Sequence, residues 1–193
     1  VFAGNDGRLA DVSRALRVLS VCSHNRTRSV LIGALLHLHL NEVGIVNDVV
    51  TAGFDAEGQP ATSDALRALA ARGIDLSEHV SRRVTDEHIT WADLVLAAEH
   101  DHVVSISGRW PGAFERTFTL PELVAWGDHV GPRSTRTLRR WLGDIAAVRP
   151  TAFDYLETSV GEIDDPTGLS PAVWRACIDE IDGLTTRLAD LLA

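Results

Sequence analysis

Short apolar runs of strand length alternate with helix-patterned stretches along this chain, and that alternation restricts it to few architectures. Residues 16–21 form a β-compatible apolar run, and residues 30–40 follow with helical spacing, Leu31, Leu35 and Leu38 falling on one face. Residues 45–51 read as a second strand, closed by Ala52 and Gly53. Residues 60–72 read as a helix with Pro60 near its start and Gly73 just past its end. Residues 93–98 are a third, buried strand and residues 117–120 a short fourth. Residues 134–147 are amphipathic and helical, and residues 171–193 make a long closing helix that begins at Pro171. Strands that alternate with helices predict an α/β fold, a parallel sheet covered on both faces. In such sheets ligands sit at the carboxyl ends of the strands, beside a helix N-terminus.

Length and charge narrow the class further. A chain of 193 residues is of single-domain size, so residues 1–15 read as a polar lead-in and residues 16–193 as one domain. The net charge of −9, from 18 basic and 27 acidic residues, argues against a nucleic-acid backbone or an acidic membrane surface as partner. No apolar run reaches the roughly 18–20 residues of a membrane span, and the first residues lack the pattern of a signal peptide. Two cysteines far apart, Cys22 and Cys177, make no disulfide framework, so a reducing cytoplasm is the expected setting.

The stretch VLSVCSHNRTRSVLIGALL, residues 18–36, carries the chemistry. Cys22 falls where the first strand ends and a helix is about to begin. A helix N-terminus offers free N–H groups and a positive dipole end, which bind oxyanions and favour a thiolate. Arg28 adds a planar fork of donors matched to two phosphate oxygens. Five residues between Cys22 and Arg28 let the loop curl so that its amides and the guanidinium face one centre. Asn25 tolerates the left-handed backbone such a curl needs, and Ser29 can donate its hydroxyl to the sulfur. A lone cysteine after a strand is ordinarily a buried core residue; the Cys-x5-Arg-Ser spacing between strand and helix favours the chemical reading.

This stretch resembles the phosphate-binding loop of the low-molecular-weight protein tyrosine phosphatase family, whose usual pattern is Cys-x-Gly-Asn-x-Cys-Arg-Ser-Pro. Cys22, Asn25, Arg28 and Ser29 match, while His24, Thr27 and Val30 replace the glycine, the second cysteine and the proline. The likeness continues through residues 51–54 (TAGF), 58–62, 72–87, 92–103 and 116–123, and ends in DDPTG, residues 164–168. It implies a four-stranded parallel sheet flanked by helices, no metal and no cofactor, and a phosphorylated protein or small phosphomonoester as substrate. Ser23, His24, Asn25, Arg26, Thr27, Arg28 and Ser29 would then cradle the phosphate. Cys22 would be the nucleophile that forms a phosphocysteine, and Asp165, in the Asp-Pro turn, the proton donor to the leaving group. Taken alone, Asp-Pro is an ordinary turn signal; Asp164 is the fallback acid. The same likeness implies that Thr51 and His79 brace the loop through Asn25.

The chain also departs from that family. Thr167 stands where an aromatic usually follows Asp-Pro, and residues 55–59 offer no second aromatic wall, so a preference for phosphotyrosine is in doubt. Arg26 occupies a pocket position usually held by a small apolar residue, and Thr27 cannot form the family's protective disulfide. Two rival functions share the motif: a single-cysteine, thiol-dependent arsenate reductase, which often carries Cys-x-His-Asn, and a phospho-binding module without turnover. Retention of cysteine, arginine, serine and Asp-Pro together argues against the second. Elsewhere, His100-Asp101-His102 reads as a solvated helix start outside the site rather than a metal site. His37 and His39 point to different helix faces, most of the five tryptophans read as packing residues, and Cys177 as core of the closing helix. The sequence sets no oligomeric state, and gives no reason for the length of the 124–160 segment.

Overall fold

The computed structural model describes residues 14–193, so the lead-in lies almost wholly outside the described residues. Strands β1 (Leu16–Cys22), β2 (Asn47–Gly53), β3 (Leu94–Ala97) and β4 (Thr117–Thr119) form one parallel sheet in the order β2-β1-β3-β4. Helices α1 (Arg28–Glu42), α2 (Ser63–Ala70), α3 (Asp86–Trp91), α4 (His100–Arg109), α5 (Leu120–Val130), α6 (Leu138–Ala146) and α7 (Pro171–Leu192) surround it.

Because side chains alternate across a strand, the apolar runs serve two cores at once. Val18, Leu94, Leu96 and Phe118 pack with residues of α1, α5, α6 and α7, among them Leu31, Leu123, Trp141 and Leu188. Leu19, Val21, Val95 and Ala97 pack on the other face with Ile89 of α3 and Val103 and Ile106 of α4. Helix α1 is buried over a wider arc than its leucines predict, since it lies between the sheet and α7. Gly33 permits the close approach: a Cβ there would meet Thr51 Cγ2 at 2.6 Å.

The strand order places the switch of direction between β1 and β3, where open α/β sheets leave a crevice at their carboxyl edge. The end of β1 opens into it.

Some boundaries differ from expectation for identifiable reasons. The helix expected over residues 60–72 starts at Ser63, because Thr62 caps it by accepting from Ala65 N at 3.4 Å, while Pro60 pairs with Val80. The apolar pattern of the sequence does not announce helices α3 and α5. Each follows a threonine that accepts from the amide three residues on, Thr85 from His88 and Thr119 from Glu122.

The long segment after β4 is anchored by a buried ion pair. Arg149 Nε donates to Glu122 Oε1 at 2.7 Å, with both side chains 1% exposed, and Tyr155 donates to Glu122 Oε2 at 2.8 Å. The Arg149 guanidinium also lies over the rings of Phe114, Phe118 and Tyr155. Burial foremost, together with the Glu122 charge, pushes the Tyr155 phenol far above its usual range. From this anchor the chain crosses the carboxyl edge of the sheet. Gly161 O accepts from Thr119 Oγ1 at 2.6 Å, and Ile163 N donates to Ala98 O at 2.8 Å. The segment thus carries Asp165 to the end of β1.

Candidate active site

The loop after β1 has its shape imposed from outside. Cys22 O and Ser23 O accept from Phe54 N at 3.2 Å and Asp55 N at 2.8 Å, and Arg26 O accepts from Thr62 N at 2.9 Å. A Cβ on Gly53 would stand 2.7 Å from both Asn25 N and Ser23 O, so only glycine allows the loop to lie down on β2. Asn25 turns the curl with φ 54° and is fully buried. Its Oδ1 accepts from Arg82 N at 3.0 Å, its carbonyl accepts from His79 Nε2 at 2.8 Å, and its Nδ2 donates to Ser29 Oγ at 3.0 Å. His79 therefore contacts Asn25. Thr51 does not: among the described residues its side chain makes no hydrogen bond to the loop, and its Cγ2 packs against Gly33 of α1. Arg82 N takes the place expected of Thr51.

Cys22 is buried at the floor of this curl. Ser29 Oγ lies 3.1 Å from Sγ, and Asn25 N donates to Sγ at 3.3 Å. Because Ser29 already accepts from Asn25 Nδ2, its own proton is free to point at the sulfur. Both contacts suit a sulfur carrying negative charge.

Arg28 is 3% exposed and gripped from three sides. Nη1 donates to the Glu99 carboxylate and to Ile163 O, the latter at 3.1 Å, and Nη2 lies 3.2 Å from Asp165 Oδ2. Burial disfavours its charge, but Glu99, Asp165 and Cys22 outweigh burial and hold its pKa above the ordinary arginine value. Among the described residues Nε is buried without a partner, leaving a donor for an oxyanion at the loop.

Asp165 is held at both oxygens: Oδ1 accepts from Thr167 N at 3.0 Å and Oδ2 faces Arg28. Partial burial opposes ionisation. The Thr167 hydrogen bonds and the charges of Arg28 and His24 prevail and lower its pKa. Cys22, His24, Arg26, Thr27, Arg28, Thr62, Asp165 and Thr167 line one pocket of about 230 Å³. No phenylalanine, tyrosine or tryptophan is among them. Phe54 stacks on His102 with centroids 5.3 Å apart, and Arg26 Nε is drawn to Pro60 O at 2.8 Å.

His102 departs from the expected solvated helix start. It is 6% exposed, accepts at Nδ1 from Glu99 N at 3.2 Å, and so directs its Nε2 proton at Ser23 Oγ, 3.1 Å away. Burial foremost lowers its pKa. His100 points elsewhere, to Tyr155 O at 2.7 Å. Glu99 and His102 thus join the site's surroundings, a role that their position directly after a buried strand signals. Cys177 faces Asp164 O at 3.7 Å and does not line the pocket. Burial foremost, then nearby carboxylates, pushes its thiol up to about 11.

A parallel four-stranded sheet with a cysteine-arginine anion cradle at the β1–α1 turn and an aspartate closing over it defines a cysteine-dependent phosphatase scaffold. Known proteins agree. The pattern of the family described as low molecular weight phosphotyrosine protein phosphatase matches residues 17–129. A protein-arginine-phosphatase of Geobacillus stearothermophilus is 34% identical over 177 residues, covering 91% of this chain and 95% of the relative. Among solved structures, a YwlE arginine phosphatase mutant with a phosphorylated active-site serine superposes with a TM-score of 0.69 at 28% identity, covering 90% of this chain and 93% of that one. A low molecular weight protein tyrosine phosphatase from T. tengcongensis gives 0.67 at 27% identity, covering 90% and 97%. The chain belongs to the low-molecular-weight protein tyrosine phosphatase family, and it is a cysteine-dependent phosphatase working through a phosphocysteine.

Proposed function

We propose that this phosphatase acts on phosphorylated protein side chains, with Cys22, Arg28 and Asp165 as its catalytic residues. The observation that carries the assignment is the convergence on one pocket of a buried sulfur with two donors aimed at it, a guanidinium with an unpaired N–H, and an aspartate 3.2 Å from that guanidinium. Cys22 attacks phosphorus while the bridging bond breaks. The loop from Ser23 to Ser29 and the Arg28 fork hold the equatorial oxygens as charge shifts onto them. Asp165, protonated at that moment, gives its proton to the departing atom. As a carboxylate it then takes a proton from water attacking the phosphocysteine. The Cys22 thiolate leaves toward the Ser29 hydroxyl. His79 and Arg82 N keep Asn25, and with it the curl, in place.

The finer question is the phosphorylated side chain. The wall is made of threonine hydroxyls, a carboxylate, two guanidiniums and the His24 imidazole rather than phenyl or indole rings, and phenyl contacts worth about 0.5–1.5 kcal/mol each are missing. Such a wall suits a phosphoguanidino group, whose N–H donors find acceptors in Thr27, Thr167 and Asp165. Protein-arginine-phosphatases are also relatives that align with nine-tenths of the chain. The phosphatase therefore prefers phosphoarginine over phosphotyrosine, with Arg26 at the rim. Specificity constants on matched peptides bearing the two groups test this, alongside acid-quench trapping of phosphoenzyme. A tyrosine preference of about tenfold or more would overturn the substrate reading. Turnover without a trappable, Cys22-dependent phosphoenzyme would overturn the nucleophile.

A further inference from the structure

We propose that Thr27 is a positioning residue for the acid. Its hydroxyl, hydrogen-bonded to Thr167, holds the Asp165 loop against the phosphate loop while substrate occupies Arg28. This rests on Asp165 being the acid, as proposed above.

Thr27 stands at the N-cap of α1, where a threonine normally accepts from an amide of the first turn. It makes no such bond. Its Oγ1 lies 3.3 Å from Thr167 Oγ1 and 3.1 Å from Thr62 Oγ1. One set of proton positions satisfies the chain. Thr62 accepts from Ala65 N and donates to Arg26 O at 3.4 Å, so Thr27 donates to Thr62, and Thr167 donates to Thr27. The hydroxyls run in one direction from the acid loop into the backbone of the phosphate loop. The diversion also leaves the first-turn amides of α1 without a side-chain cap, open to an oxyanion.

Residues 164–169 have little else to hold them. Asp164, Asp165 and Thr167 are exposed, and Pro166 alone is buried. Among the described residues, two polar side-chain contacts join this loop to the phosphate loop: Asp165 to Arg28, and Thr167 to Thr27. The first is ionic and is conditional. It weakens when Asp165 takes the proton that it must donate, and again when the Arg28 fork turns to the phosphoryl oxygens. A bond between two neutral hydroxyls depends on neither event. Thr167 also aims Asp165 directly, through its amide 3.0 Å from Oδ1, so a displaced Thr167 displaces the acid.

A double-mutant cycle tests this with Thr27→Val, Thr167→Val and the pair, using an alkyl phosphate and p-nitrophenyl phosphate as probes. Misplacing an acid harms the poor leaving group more. Each single variant should lose about 3- to 10-fold more kcat on the alkyl substrate than on the nitrophenyl one, the range of one neutral hydrogen bond. The double variant should fall no further than the worse single, and Thr27→Ser should restore the ratio. Equal losses on both substrates, additive losses in the pair, or no rescue by serine would overturn the proposal. Asp165→Asn run in parallel separates the two readings. If that variant is insensitive to the leaving group, the acid assignment falls and the latch with it. If it is sensitive while Thr27→Val is not, the latch alone falls. Should Thr27→Val fail to fold, Thr167→Val on the exposed loop carries the same expectation.

Discussion

The two loops that meet at the pocket are built on opposite plans. In the phosphate loop, Asn25, Thr27, Arg28 and Ser29 are all buried, and the polar groups of Asn25 and Ser29 are matched to a specific partner. In the acid loop, Asp164, Asp165 and Thr167 are exposed, and a few contacts hold them. The difference follows the charge each must handle. Negative charge on the phosphoryl oxygens occupies one place in both half-reactions, and fixed dipoles stabilise it without reorganising. The acid must meet a leaving atom in the first step and a water in the second, and must change its own charge between them. A tightly packed carboxylate would do neither. Rigidity is therefore concentrated where the transition-state charge is constant.

The harshest break of that contrast is Cys22→Ser. A serine hydroxyl at this site is a far weaker nucleophile, and removing a nucleophile typically costs at least about 10³-fold in kcat. The amide cradle and Arg28 do not depend on the sulfur, so inorganic phosphate should bind within a few-fold of wild type by calorimetry. Loss of binding in parallel with turnover would show that the sulfur also organises the loop. On the other side of the pocket, Asp165→Asn should lower kcat on an alkyl phosphate by about 10²-fold. Its unfolding free energy should stay within the about 0.5 kcal/mol typical of exposed sites, since Arg28 keeps Glu99. A large stability loss would place Asp165 among the rigid parts.

Gly53→Ala asks the converse question of the rigid loop. It touches no reacting atom, yet its Cβ would press on loop backbone that His79, Arg82 and Thr62 prevent from yielding. Overpacking of this kind costs about 1–3 kcal/mol. Thermal stability and phosphate affinity should therefore fall together. A variant with normal stability and weak binding would mean that the loop has room to shift after all.

Much of this division was readable in the chain. Apolar runs fixed in length by turn residues marked all four strands. The strand-Cys-x5-Arg-Ser-helix order located the cradle, because anion chemistry demands those residues at that spacing. What escaped was carried by contacts between distant segments. Glu99 and the Ile163 carbonyl reach Arg28 from 71 and 135 residues away, and no local pattern announces them. The Thr51 brace, implied by likeness, has no hydrogen bond to Asn25 among the described residues, and the Thr51 methyl fills the space that Gly33 leaves. Helix α5 was legible in principle, since Thr119-Leu-Pro-Glu122 is a capping box, but it sits within what reads as the tail of a strand. The length of the 124–160 segment has no reason in the sequence because its function is tertiary: Arg149 and Tyr155 meet Glu122 and anchor the strap that delivers Asp165.

The smallest effect expected is a fraction of a proton, and it tests the acid loop most directly. In the free protein, burial of Asp165 favours its neutral form, but the Thr167 hydrogen bonds and the charges of Arg28 and His24 prevail and depress its pKa. A bound phosphate reverses that balance. It draws the Arg28 fork onto its own oxygens and places negative charge beside the carboxylate, and both changes raise the pKa. Between the free and bound values, binding must therefore take up a proton at Asp165. Below the free value the group is already protonated, and above the bound value it stays ionised, so uptake vanishes at both ends. Calorimetric titration of inorganic phosphate, in two buffers of different ionisation enthalpy and over a pH series that starts below the ordinary carboxylate range and runs upward from it, reads the number directly. Wild type should take up a larger part of one proton per site than Asp165→Asn. The subtraction removes the ionisation of the phosphate itself and of every group the two proteins share. Equal uptake by the two proteins would mean that Asp165 does not sense the phosphate, and a carboxylate blind to the substrate's charge is not placed to protonate it.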